Sequence, residues 1–155
     1  MSQIKLDSIN VAGKRVSFDY SVSADLKKYF NTTLPFFFEY EEDISSVPHA
    51  VLAILFLSNM LPVSWLTDSD LIAESADKNF AENVIAIKQG YADMFPLAEI
   101  KGRLRLKSLV DCSRENTDKT AVFFSGGVDS YCTLIRNIDK KPDLITLWGS
   151  DVLLT

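Results

Sequence analysis

Six consecutive small or polar residues are best suited to chemistry: Ser125, Gly126, Gly127, Val128, Asp129 and Ser130. Adjacent glycines allow positive φ and leave backbone N–H groups uncovered, as a bound phosphate requires. The serines add hydroxyl donors, whereas Asp129 is an anion and does not suit the phosphate itself. It either caps the following helix or holds Mg²⁺ beside the phosphate. The pattern favours a phosphate site over a Ser/Gly turn that binds nothing.

Two apolar segments and a helical segment surround this loop. Residues 121–124 are an apolar run, residues 131–138 have a helical pattern, and Lys140-Lys141-Pro142 ends the helix. Residues 143–149 then predict a second buried strand. Such a βαβ unit has parallel strands and a right-handed crossover. The loop lies at the carboxyl end of the first strand, where open α/β sheets bind ligands.

The spacing of the loop residues excludes two common phosphate motifs and matches a third. The lysine of G-x-x-x-x-G-K-[ST] is missing, and so is G-x-G-x-x-G. Ser-Gly-Gly-Val-Asp-Ser instead resembles the Ser-Gly-Gly-x-Asp-Ser loop of the ATP pyrophosphatase (PP-loop) superfamily. The residues around the loop look most like those of 7-cyano-7-deazaguanine synthase-like proteins.

This resemblance implies a Rossmann-like nucleotide-binding domain that binds ATP and Mg²⁺. It implies that ATP is cleaved between its α- and β-phosphates, that a substrate is adenylated, and that residues 125–130 hold the leaving pyrophosphate. Asp129 is the implied magnesium ligand. The chain is then the N-terminal portion of an adenylating ligase, whose substrate the loop does not specify. The alternative is a non-catalytic nucleotide-binding or assembly module that docks a protein partner through residues 1–110. Its candidate surfaces are the aromatic run at residues 36–38 and the apolar helix predicted at residues 45–60.

Composition limits the classes of protein to which this chain can belong. A chain of 155 residues, 47% hydrophobic and 24% charged, suits one globular domain, or a small domain with part of another. The formal net charge of -5 argues against general nucleic-acid binding. The polar start lacks the features of a signal peptide, and two cysteines make no disulfide framework. We therefore expect a cytoplasmic protein without a membrane segment.

The fold class predicted is α/β, in two parts. Residues 1–110 form an α+β unit, residues 111–119 are a polar boundary, and residues 119–155 begin a PP-loop domain that looks truncated. Parallel sheets normally have several strands with both faces covered. We therefore expect the chain alone to be inactive and to require a protein partner or a C-terminal portion. We also expect association with a second copy, either through the apolar edge at residues 144–148 or through the aromatic run at residues 36–38.

Three strand regions are predicted in the first unit. Apolar and polar residues alternate over residues 4–22, with a turn at residues 12–14, as in a hairpin. Residues 34–40 contain three phenylalanines and predict a strand buried on both faces rather than a partner surface. Residues 100–107 predict a strand with a basic outer face, which is more typical of a solvated surface than of an RNA contact.

Two helices are predicted in the same unit. The first covers residues 45–60, ends before Pro62 and is apolar all round, which indicates a core helix too short to span a bilayer. Short extended segments follow at residues 65–67 and 71–73. The second helix covers residues 77–95 and carries an apolar stripe, which favours docking on its own sheet over binding a partner.

The remaining candidates for chemistry are assigned structural roles. His49 is the single histidine and has no metal-ligand partner at suitable spacing. The acidic residues 39–43 lack the spacing of a calcium loop and predict a solvated segment. Cys132, predicted in the first turn of the motif helix, is interpreted as a small buried residue rather than a reactive thiol.

Overall fold

The structure is a computed structural model that describes residues 2–31, 33–113 and 118–147. The chain divides into two compact units, residues 1–113 and residues 114–155. The division falls within the polar segment predicted as a boundary.

A five-stranded mixed sheet forms the first unit. Its strands are β1 (Gln3–Ala12), β2 (Arg15–Val22), β3 (Phe36–Glu39), β4 (Asp70–Asp77) and β5 (Arg103–Val110), in the order β3-β2-β1-β4-β5. The pairs β1–β2 and β2–β3 are antiparallel, whereas β4 is parallel to both β1 and β5. The predicted α/β class is confirmed.

The predicted hairpin is formed by β1 and β2. Gly13 lies in the turn with φ of 59°, a value that favours glycine. Val16 and Phe18 are buried, while Ser17 and Asp19 lie on the opposite face of the strand. The alternation thus orients the hairpin, because successive side chains of a strand point to opposite faces.

The aromatic run forms β3 at one edge of the sheet. Phe36 and Phe38 pack toward Phe18, with ring centroids 5.7 Å and 6.4 Å from it. Phe37 points to the other face, is 41% exposed, and has the guanidinium carbon of Arg15 3.7 Å from its ring centre. The predicted burial on both faces is wrong, because the helices of the described residues cover only one face of this sheet.

Helix α1 (His49–Leu66) is the core helix of this unit, as predicted, but it is longer than predicted. It continues through Pro62, so the predicted end before that proline and the extended segment at residues 65–67 are both wrong. Proline removes one backbone hydrogen bond within a helix. Burial of Leu61 and Trp65 on either side of Pro62 offsets that loss.

The length of α1 also bears on whether this helix could span a membrane. With 18 residues and a mean hydropathy of 1.6, α1 meets the length and composition of a membrane-spanning helix. The expectation that it is too short is therefore wrong. However, 50% of the helix is buried inside the unit, and Phe56 and Leu57 are fully enclosed. This packing is what identifies α1 as a core helix.

Helix α2 (Lys78–Met94) confirms the predicted amphipathic helix. Its N-cap is Asp77, whose carboxylate accepts a hydrogen bond from the N–H of Phe80 at 2.9 Å. Tyr91 contacts Trp65 of α1 with ring centroids 5.3 Å apart, which places α2 beside α1 on the same face of the sheet. The predicted stripe is only partly covered, because Met94 is 71% exposed.

The basic face predicted for the last strand of this unit lies on β5. Arg103, Arg105 and Lys107 are exposed there, whereas Ile100 and Lys101 precede the strand. Arg105 donates to Asp70 of β4 through Nε, and Lys107 Nζ lies 3.4 Å from the carboxylate of Glu74. Acidic side chains of β4 therefore partly balance the basic face.

A polar contact across the hairpin predicts one pH effect. Asp19 accepts hydrogen bonds from Ser8 at 2.6 Å and Asn10 at 2.9 Å, and these bonds lower the pKa of Asp19 below its ordinary value of 3.8. A lowered folded-state pKa stabilises the fold above the unfolded pKa, and this contribution disappears as pH falls through the folded pKa. As the pH falls from about 5 to about 2, the free energy of unfolding should therefore decrease less in Asp19→Asn than in the parent protein. Urea unfolding at each pH measures this difference. An identical acid profile in both proteins would contradict this.

The second unit is a βαβ arrangement, as predicted. Strand β6 (Ala121–Phe123) is parallel to β7 (Asp143–Ile145), and α3 (Val128–Arg136) connects them. Val122 is buried, but Leu144 and Ile145 are 50% and 40% exposed, so the predicted burial of the second strand is wrong. Residues 148–149 of that predicted strand lie outside the described residues.

Candidate functional site

Two hydrogen bonds hold the residue that precedes the loop between β6 and α3. The N–H of Phe124 donates to the carbonyl of Ile145 at 2.8 Å, and the hydroxyl of Thr146 donates to the carbonyl of Phe124 at 2.9 Å. These bonds tie the chain to β7 immediately before Ser125. The loop therefore leaves the carboxyl end of a parallel strand pair, as the sequence predicts.

The two loop glycines have different roles. Gly126 has φ of 79°, in the left-handed region that favours glycine. Gly127 is the N-cap of α3 and has φ of -82° and ψ of 168°, which other residues adopt as well. In the described part of the chain, no side-chain hydrogen bond caps this helix. The N–H groups of its first turn, together with the positive end of the helix dipole, are thus suited to an anion.

Open space lies beside these glycines. Among the residues that the structure describes, a Cβ on Gly126 would meet no atom within 4 Å, and one on Gly127 would meet only the Oγ of Ser125, at 3.6 Å. Glycine at position 127 is therefore required neither by its φ nor by packing. A ligand close to the backbone would explain it, because a side chain there would occupy the ligand's space.

The hydroxyls of the motif differ in their surroundings. Ser125 is exposed in the loop. Ser130 is buried, and its Oγ donates to the carbonyl of Gly127 at 2.7 Å. The proton of Ser130 therefore stabilises the loop, whereas the hydroxyl of Ser125 is accessible to a ligand. Residues 128–130, predicted as loop, form the first turn of α3.

Asp129 does not cap the helix, since the N-cap is Gly127. It lies exposed in the first turn, where a negative charge interacts favourably with the helix dipole. Among the described residues, no three His, Cys, Asp or Glu side chains group into a metal site. Mg²⁺ is commonly held by one or two carboxylates together with substrate phosphates and water. Asp129 fits a metal of that kind, bound together with a phosphate.

The other candidates stand apart from any cluster. His49 is the exposed first residue of α1, and residues 40–43 are an exposed loop. Cys132 is exposed, so its predicted burial is wrong. It lies in the second turn of α3 rather than the first.

A cleft of about 440 Å³ lies between α2 and β5, where the sequence predicted no site. Its lining is mainly apolar and includes Val84, Ile85 and Leu104. Ile85 lies on α2 outside the apolar stripe that docks on the sheet. Single exposed apolar residues are common on protein surfaces, so the sequence alone does not predict this cleft.

Comparison with protein-family models, curated proteins and solved structures finds no significant match to this chain. The functional interpretation of residues 125–130 therefore rests on the residues and on the loop geometry.

Proposed function

We propose that residues 125–130 bind the pyrophosphate part of ATP. The observation that supports this best is the uncapped start of α3, which follows a left-handed glycine at the end of a parallel strand. The first-turn N–H groups offer donors, and open space allows phosphate oxygens to approach them. The proposed nucleotide-binding residues are Ser125, Gly126, Gly127, Val128, Asp129 and Ser130.

The reaction proposed follows from the resemblance of the loop to PP-loop enzymes. A substrate carboxylate attacks the α-phosphate of ATP, the bond to the β-phosphate breaks, and pyrophosphate leaves through the loop. A nitrogen nucleophile then displaces AMP. In this proposal the unit with β6 and β7 belongs to a Rossmann-like domain of an adenylating ligase. Residues outside the loop choose the substrate.

Competition binding tests the proposal directly. Calorimetry with Mg²⁺ should show that pyrophosphate competes with ATP, whereas AMP competes only weakly, because the loop contacts the phosphates that AMP lacks. Pyrophosphate should likewise compete more strongly than the nucleoside monophosphate when another nucleoside triphosphate replaces ATP. If AMP displaced ATP and pyrophosphate did not, the phosphates would not be bound at this loop.

Asp129→Asn should weaken the magnesium dependence of ATP binding. The amide keeps the size of the carboxylate but removes the charge that binds the metal. We expect the gain in ATP affinity on adding Mg²⁺ to fall about tenfold, since one charged contact is worth about 1.5–3 kcal/mol. Asp139→Asn is the matched control, because Asp139 is exposed in the turn after α3. Equal magnesium titrations for both variants would exclude Asp129 as the ligand.

The cleft between α2 and β5 supports a second candidate function, a module that binds ATP without chemistry and docks a protein through residues 1–110. The aromatic run and α1 are the surfaces that sequence reasoning suggests for that role. Most apolar side chains of the aromatic run and of α1 pack in or against the core, so the cleft is the better candidate surface. Pyrophosphate release by the longest natural form, given ATP and candidate carboxylates, separates the two functions: the ligase releases it and the module does not.

A further inference from the structure

The sheet of the first unit ends in a groove between an edge strand and a helix. The cleft between β5 and α2 has a volume of about 440 Å³ and an apolar lining that includes Trp65, Val84, Ile85, Leu104, Leu106 and Leu109. Ile85 lies at this cleft and is 79% exposed. Apolar surface of this kind at a sheet edge is typical of a binding groove.

The backbone of β5 is suited to accept another strand. This eight-residue strand is the last in the sheet order and pairs with β4 along one side. The outer side of an edge strand presents N–H and C=O groups that can pair with an extended chain. A helix beside such an edge supplies a pocket for alternate side chains of the added strand.

The two faces of β5 define the side chains that an added strand needs. Leu104 and Leu106 face the helices, and the side chains of Arg103, Arg105 and Lys107 are between 51% and 73% exposed on the other face. Successive residues of an added strand would therefore alternate between the apolar groove and the cations. Glu82, which also lines the groove, pairs with Lys78 at 3.9 Å.

Strand β4 shows which sequence suits β5, because it already pairs with the other side of that strand. Its buried residues Leu71 and Ala73 lie next to Leu104 and Leu106, on the helix face. Its acids Asp70 and Glu74 contact Arg105 and Lys107 on the opposite face. Alternation of apolar and acidic residues is therefore the pattern that complements β5.

We propose that the groove between β5 and α2 binds an extended segment of a partner protein in which apolar residues alternate with Asp or Glu. The segment adds a strand to β5, places its apolar side chains in the groove and pairs its acids with the basic face. Binding in this groove does not depend on nucleotide binding by residues 125–130.

A second copy of the chain suits the groove less well. Antiparallel pairing of two β5 strands about Leu106 keeps apolar residues on one face but sets Arg105 of each copy opposite Lys107 of the other. Like charges directly opposite each other destabilise a sheet. The basic face thus favours an acidic partner over self-pairing.

The probe for this groove is a capped peptide with the sequence of residues 70–76, Asp-Leu-Ile-Ala-Glu-Ser-Ala. Calorimetry with the full chain should show saturable binding of this peptide. A version with lysine in place of both acids should bind about fivefold more weakly, since each cross-strand charge pair contributes roughly 0.2–1 kcal/mol. No binding of the acidic peptide, or equal binding of both peptides, would overturn the proposal.

Variants of the protein locate the binding surface. Ile85→Glu should weaken binding of the acidic peptide about tenfold, whereas Ala86→Glu adds the same charge at the next exposed position of α2 and should have little effect. Lys107→Glu should shift the preference toward the lysine peptide. Equal effects of the two α2 variants, or an unchanged preference in Lys107→Glu, would contradict the groove.

Two further measurements distinguish peptide binding in the groove from nucleotide binding and from self-association. Gly127→Val should leave peptide binding unchanged, so loss of nucleotide binding and loss of peptide binding are distinguishable. Sedimentation at several concentrations tests the second copy as the occupant. A dimer that Ile85→Glu dissociates, in a protein that does not bind the peptide, would assign the groove to self-association and overturn the proposal.

Discussion

Gly127→Val should abolish measurable ATP binding while the βαβ unit stays folded. The backbone at Gly127 has a φ that valine adopts, and the one described atom that a Cβ there would meet is the Oγ of Ser125, at 3.6 Å. The branched side chain would instead fill the open space beside the first-turn N–H groups of α3. Loss of two charged hydrogen bonds, each worth about 1.5–3 kcal/mol, weakens binding about a hundredfold or more.

Calorimetry with ATP and Mg²⁺ measures this effect, and circular dichroism checks the fold. Gly127→Ala should give an intermediate loss, because its methyl group occupies less of the same space. Cys132→Val is the matched control, since it adds a valine at an exposed position one turn further along α3. If Gly127→Val binds ATP as tightly as Cys132→Val does, the nucleotide site lies elsewhere.

Gly102→Ala should reduce the free energy of unfolding of the first unit by about 3 kcal/mol or more. A Cβ at Gly102 would lie 2.0 Å from the carbonyl oxygen of Ser64 and 2.6 Å from that of Ser69. Both neighbours are backbone atoms of buried residues, and the hydroxyl of Ser64 donates to the carbonyl of Ser69 at 2.7 Å. Lys88 also donates to the carbonyl of Gly102 at 2.7 Å, so both sides of the contact are held in place.

Urea unfolding followed by Trp65 fluorescence measures this loss, in a Trp148→Phe background that leaves Trp65 as the single tryptophan. The matched control is Gly90→Ala, in the interior of α2, where an added Cβ meets no atom of residues 2–31, 33–113 or 118–147 within 4 Å. That substitution should stabilise the protein by about 0.5–1 kcal/mol, because alanine loses less backbone entropy in a helix. Changes of the same sign in the free energy of unfolding of both variants would contradict the close contact at Gly102.

Local patterns in the sequence were sufficient where neighbours along the chain decide the structure. Alternation of Val16 and Phe18 with polar residues predicts the hairpin, and Asp77 ahead of an apolar stripe predicts the start of α2. Residues 125–130 are predicted in the same way, because adjacent glycines between a strand and a helix are a local pattern typical of phosphate binding. These features depend on strand period, helix period and turn chemistry, all of which are readable over a few residues.

Tertiary contacts decided the features that depend on distant parts of the chain. Helix α1 continues past Pro62 because burial of Trp65 offsets a lost hydrogen bond, and Phe37 is exposed because no helix of the described residues covers its face of the sheet. The clash that requires glycine at position 102 involves backbone more than thirty residues away, at Ser64 and Ser69. The groove between α2 and β5 likewise exists only once the helix lies on the sheet, since neither element encloses space alone.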